Sequence, residues 1–238
     1  MADKTLILLP TLNEANNLKK LYFEIKNINL ENDILIIDDG STDSTIEDIS
    51  LIIKDNPEKN FSILRGQRKG IGSAHIQGIK WAYEKKYDFI ITMDTDFAHN
   101  PKYIRELIKY RSSFDVVLGS RYLMKHGVPQ WSIFRKILSY GAHIVSFYLF
   151  RHDFDSTNSF RCYNLKKIDK EFLNYCNYKH YEFFFTSITV LNIKKYKIFQ
   201  FPMVIQGRQE GFSKMYLKHM IRSIFFIFYF YLKLKKIN

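Results

Sequence analysis

The sequence predicts an α/β fold built on a mostly parallel sheet with helices on both faces. Three observations carry this. Short β-branched runs alternate with longer helical stretches through the first half of the chain. Those runs are nearly all apolar, as expected of strands covered on both faces. Polar and acidic residues gather just after them, beyond the carboxyl ends of the strands, where open α/β sheets bind ligands.

Residues 5–9 (TLILL) read as the first strand and 14–28 as the first helix. Residues 33–37 form the second strand and lead into Asp38-Asp39-Gly40-Ser41-Thr42-Asp43. There the glycine tolerates positive φ, and Ser41, Thr42 and Asp43 are good caps for a helix over 44–54. The third strand, 61–64, runs into RGQRKGIGSA (65–74). Its glycines allow close backbone approach, and the helix after it, 72–85, offers an anion-favouring N-terminus. Lys69 in this loop is a candidate contact for a diphosphate. The fourth strand, 89–93, ends in Asp94-Thr95-Asp96; a helix over 101–111 and a fifth strand over 115–118 follow.

Two later segments are amphipathic. Over 131–150, Trp131, Phe134, Leu138, Val145 and Leu149 recur at helical spacing, with Arg135, Lys136 and His143 between them. From Lys214 on, Lys218 and Arg222 precede an apolar aromatic run over 224–232 and a basic end, Lys233, Lys235 and Lys236. That run is far shorter than the ~20 residues of a spanning helix. The expectation is a domain over 1–216 that includes the 131–150 helix, and a basic aromatic interfacial helix over 217–238. Docking on the sheet or on a second subunit, as in a homodimer, is the alternative.

Of the 238 residues, 46% are hydrophobic and 25% charged, which excludes intrinsic disorder. Thirty-six Lys and Arg stand against 24 Asp and Glu, a net charge of +12, which favours an anionic partner. No nucleic-acid recognition motif accompanies the charge, so nucleic acid is not expected. The first strand is followed by Pro10-Thr11-Leu12-Asn13-Glu14 in place of a G-x-G-x-x-G turn, and no G-x-x-x-x-G-K-[ST] occurs. Two cysteines, Cys162 and Cys176, make no disulfide framework, and no long apolar segment precedes Pro10. A cytoplasmic setting is expected.

Asp94 and Asp96, one residue apart after an apolar strand, could both reach one hard cation, Mg²⁺ or Mn²⁺. Taken alone the pair is a weak signal, since a turn and helix cap is the commoner use of such residues. The seven histidines show no metal-ligand spacing.

The segments LLPTLNE, IIDDGSTDST, RKGIGSAHIQGI, TMDTDFAHNP, GSRY, RKILS, DSTNSFRCY and GRQEGFSKM occur in the order seen in family 2 glycosyltransferases of the GT-A fold. The chain resembles the dolichol- and polyprenyl-phosphate mannose synthases most. The resemblance implies that Pro10, Thr11 and Glu14 contact the nucleotide and that Asp38 and Asp39 recognise base and ribose. It implies that Asp94 and Asp96 hold the cation, Asp96 the more directly. Arg121, Arg135, Arg208 and Lys214 match cationic positions that hold donor and acceptor phosphates.

The implied activity is inverting transfer of a hexose from a nucleoside diphosphate, GDP-mannose or UDP-glucose, to polyprenyl phosphate at the cytoplasmic membrane face. The acceptor is already anionic and needs positioning by Arg forks more than a general base. Members that act on hydroxyl groups generally place an acid after the S-F-R motif. Here that position matches Thr186, with Glu182 as the alternative one turn away. Other departures are Ala98, with no side-chain oxygen near the cation, Asn158 in place of a small glycine, and Gly207 before Arg208. Competing readings are transfer to a sugar or lipid hydroxyl and a non-catalytic nucleotide- or membrane-binding protein.

Overall fold

The computed structural model describes residues 3–28, 31–207 and 217–235. Within these, seven strands form one sheet: β1 (Thr5–Thr11), β2 (Asp33–Asp38), β3 (Asn60–Leu64), β4 (Phe89–Thr92), β5 (Val116–Ser120), β6 (Arg161–Asn164) and β7 (Ile198–Pro202). The spatial order is β3-β2-β1-β4-β6-β5-β7. Neighbours are parallel except at β6, which runs antiparallel to both β4 and β5. The five strands expected from the sequence are present with ends that differ by at most two residues; β6 and β7 are additional.

The helices are α1 (Ala15–Asn27), α2 (Thr45–Asp55), α3 (Ile71–Glu84), α4 (Ile104–Tyr110), α5 (Ile133–Phe150), α6 (Phe172–Tyr175), α7 (Glu182–Ile193) and α8 (Leu217–Lys235). The 101–111 helix opens as a 3₁₀ turn, Pro101–Tyr103, because Pro101 sits at its first position and the Asn100 side chain accepts from the Lys102 N–H. Ser132 caps α5 by accepting from the Arg135 N–H, and Arg151 ends that helix in the left-handed region.

All seven residues of β1 are buried, and they alternate between two cores. Leu6 and Leu8 join a layer with α3, α7, Phe150 and, from α8, Ile227 and Phe230. Ile7 and Leu9 join the opposite layer with Leu18, Leu21, Ile49, Ile104 and Leu107 from α1, α2 and α4. The α8 helix thus shares a core with the sheet, packing on α5 through Phe150 against Phe230 and Tyr231.

Candidate functional site

The carboxyl ends of β1, β4 and β5 open on one rim, and the reversed direction of β6 brings the loop before it, 154–160, to the same rim. A cavity of about 630 Å³ lies there, walled by residues after these strands and by α5, the start of α7 and α8. It collects eight of the residues singled out from the sequence: Pro10, Thr11, Glu14, Asp39, Asp94, Asp96, Arg121 and Arg135.

A tight bend after β4 aims the acid pair. Thr95 donates from Oγ1 to the Pro10 carbonyl at 3.3 Å, Asp96 Oδ1 accepts from the Ala98 N–H at 3.0 Å, and buried Phe97 adopts φ 61°. The Asp94 N–H donates to Nδ1 of His99 at 3.3 Å, and the His99 ring lies buried against Phe160, 5.3 Å between centroids. His99 is therefore committed to the bend rather than offered as a ligand. Both carboxylates line the cavity, and no group of three or more candidate protein ligands occurs among the described residues. Two carboxylates with room beside them suit a hard cation whose remaining ligands are phosphate oxygens and water. The residues present fit Mg²⁺ or Mn²⁺ bound together with a diphosphate; Ala98 adds no side-chain oxygen.

On the other wall the two adjacent acids part company. Asp39 lines the cavity, and its carboxylate accepts from Arg65 Nη1 at 2.8 Å, the Lys69 N–H at 2.9 Å and the Gly70 N–H at 2.8 Å. Asp38 does not line it. Its carboxylate turns into its own loop, accepting from the Gly40 and Ser41 N–H groups and the Ser41 hydroxyl. Lys69 enters this arrangement through its backbone, while the neighbouring Arg68 lines the cavity. Gly70 has φ 99°, and a Cβ there would stand 2.4 Å from the Lys179 carbonyl, so only glycine lets the 178–180 segment close on this loop.

Arg121 and Arg135 share the cavity with the acids. Arg121 is buried and forked onto Asp155, with Nε to Oδ2 at 2.8 Å and Nη2 to Oδ1 at 2.9 Å. Burial opposes the Arg121 charge, but Asp155 together with Tyr122 and Tyr140 raises the pKa overall. Trp131 carries both guanidinium groups, Arg135 at 3.8 Å and Arg121 at 5.3 Å from its ring. Burial, then the nearness of Arg121, lowers the pKa of Arg135, and Asp96 partly offsets this. The Arg135 Nε is buried and makes no hydrogen bond among the described residues. Arg208 and Lys214 lie outside the described residues.

The departures noted in the sequence resolve unequally. Thr186 is fully buried, and its hydroxyl donates back to the Glu182 carbonyl at 2.9 Å, so the position matched to an acid does not reach the cavity. Glu182 does, one turn earlier, with Oε1 3.4 Å from Nε of Arg222. Asn158 ties the loop before β6 to β5, donating to the Gly119 carbonyl at 2.7 Å and accepting from the Phe160 N–H at 3.1 Å. Sequence reasoning passed over Asp155, Trp131 and the pair His143 and Tyr122, stacked at 3.9 Å. Asp155 was findable as the first residue of DSTNSFR, directly ahead of a strand. Trp131 was read only as part of an apolar stripe.

Away from the charges the cavity wall turns apolar, with Leu138 and Ala142 of α5, Phe184 and Phe185 of α7, and Phe226 and Ile227 of α8. The outer faces of α5 and α8 leave large apolar side chains in the open, Ile133 at 77% and Phe225 at 71% exposure, together with Phe134, Ile137, Tyr148 and Leu232. No described helix is long and apolar enough to cross a membrane.

Comparison with known proteins agrees with this geometry. The family model described as glycosyl transferase family 2 matches residues 6–174. A polyprenol monophosphomannose synthase of Mycolicibacterium smegmatis is 27% identical over 215 residues, 90% of this chain and 81% of that one. A dolichol-phosphate mannosyltransferase of Pyrococcus furiosus is 36% identical over 145 residues, 60% of this chain and 40% of that one. An undecaprenyl-phosphate mannosyltransferase of Micrococcus luteus is 27% identical over 217 residues, 89% of this chain and 87% of that one. Among solved structures, glucosyl-3-phosphoglycerate synthase from Mycobacterium tuberculosis, in complex with Mn²⁺, UDP and glucosyl-3-phosphoglycerate, superposes with a TM-score of 0.67. It is 13% identical, and the match covers 98% of this chain and 80% of that one. The shared architecture is the GT-A fold.

Proposed function

The chain belongs to glycosyl transferase family 2, and from that premise we propose that it transfers a hexose from a nucleoside diphosphate to a polyprenyl phosphate at a membrane surface. The observation that carries the reading is the cavity itself. Asp94, Asp96, Arg121 and Arg135 all line it, and its wall runs on into helices whose outer faces are apolar. The names of the curated relatives support the acceptor class.

The chemistry follows from charge. An oxygen of the acceptor phosphate bonds to the anomeric carbon as the bond to the diphosphate breaks, and the configuration inverts. Charge then develops on the leaving diphosphate. Asp94 and Asp96 would hold a Mg²⁺ or Mn²⁺ ion, which supplies Lewis-acid stabilisation of that charge. Pro10, Thr11, Glu14 and Asp39 line the part of the cavity assigned to the nucleotide, with Asp38 and Lys69 shaping its loop. Arg121, fixed by Asp155, and Arg135, fixed on Trp131, grip phosphate oxygens; Arg208 and Lys214 add to them on the strength of the family resemblance. The acceptor needs no general base, in keeping with the burial of Thr186.

Membrane attachment is peripheral: the exposed apolar side chains of α5 and α8 enter the headgroup boundary, and nearby Lys and Arg answer anionic lipid. A second reading, transfer to a hydroxyl group, draws on the Glu182 carboxylate in the cavity. One assay separates them. Purified protein, Mg²⁺ or Mn²⁺ and a panel of radiolabelled nucleotide sugars are incubated with vesicles holding polyprenyl phosphate or the unphosphorylated alcohol. Label in a mild-acid-labile lipid from the phosphate alone is the expected result, and label on the alcohol alone overturns the reading.

A further inference from the structure

Besides Arg68, three guanidinium groups line the cavity, and each of these three has a different companion. Arg121 is answered by the fork of Asp155, Arg135 lies on Trp131, and Arg222 of α8 meets Glu182 at the first turn of α7. The last pairing is unlike the first. It is a single contact, Nε to Oε1 at 3.4 Å, between a side chain 70% exposed and one 10% exposed. An ion pair with one partner so open to water is weak, because solvent screens the attraction. A phosphate monoester, doubly charged and able to engage two N–H groups of one guanidinium, is the stronger partner.

We propose that Arg222 is an acceptor-phosphate ligand held in reserve by Glu182, and that the incoming lipid phosphate takes Arg222 from that carboxylate. The proposal rests on the reading of the acceptor as a lipid phosphate. Three observations favour exchange over a fixed structural bridge. Glu182 sits where the N-terminus of α7 stabilises a carboxylate left without its cation. The α8 helix stays fastened when the pair opens, because Phe226 packs edge-on to Tyr178 at 4.9 Å and Ile227 and Phe230 are buried in the core. The helix that carries Arg222 also exposes Phe225, Phe228, Tyr229 and Leu232, so a charged head at Arg222 leaves its hydrocarbon chain beside an apolar surface. Glu182 then occupies Arg222 as a competing anion until an acceptor arrives.

The test is steady-state transfer to a short-chain polyprenyl phosphate at saturating donor, with wild type, Arg222→Gln, Glu182→Gln and the double variant. Arg222→Gln raises the acceptor KM by about fivefold and leaves the donor KM unchanged. Glu182→Gln lowers the acceptor KM, because the competing carboxylate is gone, and the double variant behaves as Arg222→Gln does. A purely structural bridge predicts that both single variants lose thermal stability and shift KM in the same direction; that result, or an acceptor KM unmoved by Arg222→Gln, overturns the proposal while the acceptor reading stands. If wild type uses the alcohol and ignores the phosphate, the acceptor reading itself falls and this proposal falls with it.

Discussion

Asp155 holds Arg121 at three points: Oδ2 accepts from the Arg121 backbone N–H at 3.0 Å and from Nε at 2.8 Å, and Oδ1 accepts from Nη2 at 2.9 Å. Both residues are buried, Asp155 completely. This arginine of the cavity wall is therefore charge-balanced and fixed by the protein itself. Asp155→Asn leaves a buried guanidinium without its counter-charge, and removing one partner of such a pair costs about 3–5 kcal/mol. Urea denaturation is expected to show a loss of that size, with transfer activity falling alongside.

Asp96→Asn keeps the shape of the bend after β4 and removes one carboxylate charge from the pair. Transfer is expected to drop by about a hundredfold in kcat/KM with the melting temperature nearly unchanged. The check is a Mn²⁺ titration of activity; full activity at saturating Mn²⁺ removes Asp96 from the cation site.

Gly70→Ala places a methyl group 2.4 Å from the Lys179 carbonyl and 2.7 Å from Nδ1 of His180, at a φ of 99°. The loop whose N–H groups bind Asp39 must move. A loss of more than ~1 kcal/mol in stability is expected. The donor KM is expected to rise as well, while Gly66→Ala, with open space around its Cβ position, costs only the strain of its φ of 67°.

Two buried histidines set a pH dependence. Burial, with Arg161 and then His99 nearby, lowers the pKa of His75 from 6.5 to about 3, and burial, with His143 nearby, lowers that of His152 to about 4. The unfolded chain takes up protons near 6.5 that the native state refuses, so stability is full above that pH. It falls as the pH drops from about 6.5 toward about 4, by at most ~1.4 kcal/mol per unit for each group. Thermal melts between pH 7.5 and 4.5 are expected to show this slope, and His152→Gln to reduce it.

Ile133→Asp combined with Phe225→Asp alters side chains that are 77% and 71% exposed and touch neither core. Each apolar side chain transferred into lipid is worth about 1.5–3 kcal/mol, so flotation with anionic vesicles is expected to weaken by more than tenfold. Unchanged flotation refutes the membrane-facing assignment of these helices.

The sequence made the first half of the fold legible because residues such as Leu6 to Leu9 are buried on both faces and write that fact as an unbroken apolar run. The β6 strand was hidden by Arg161, whose charge argues against a central strand. In the fold that guanidinium is completely buried, donating to Tyr163, Ser187 and the Ser156 and Phe184 carbonyls. The α7 helix, buried nearly all round, carries no stripe to betray its period. At the site, residue types and order singled out the acids and two of the arginines that line the cavity as candidates, but Asp38 and Asp39 are chemically identical, and only the loop hydrogen bonds decide which one turns to the cavity. The pairings of Asp155 with Arg121 and of Glu182 with Arg222 were not legible, because each joins residues more than thirty positions apart in the chain.

The α5 helix presents Arg135, Leu138 and Ala142 inward and Phe134, Ile137 and Tyr148 outward on a single rigid rod. On the proposed reading this rod works as a depth gauge. Sinking the outer side chains to a fixed level also fixes the height of the arginine above the bilayer midplane. An acceptor whose charged head rides at that height can react without being pulled out of the leaflet, and lengthening its buried tail should leave the reaction geometry untouched.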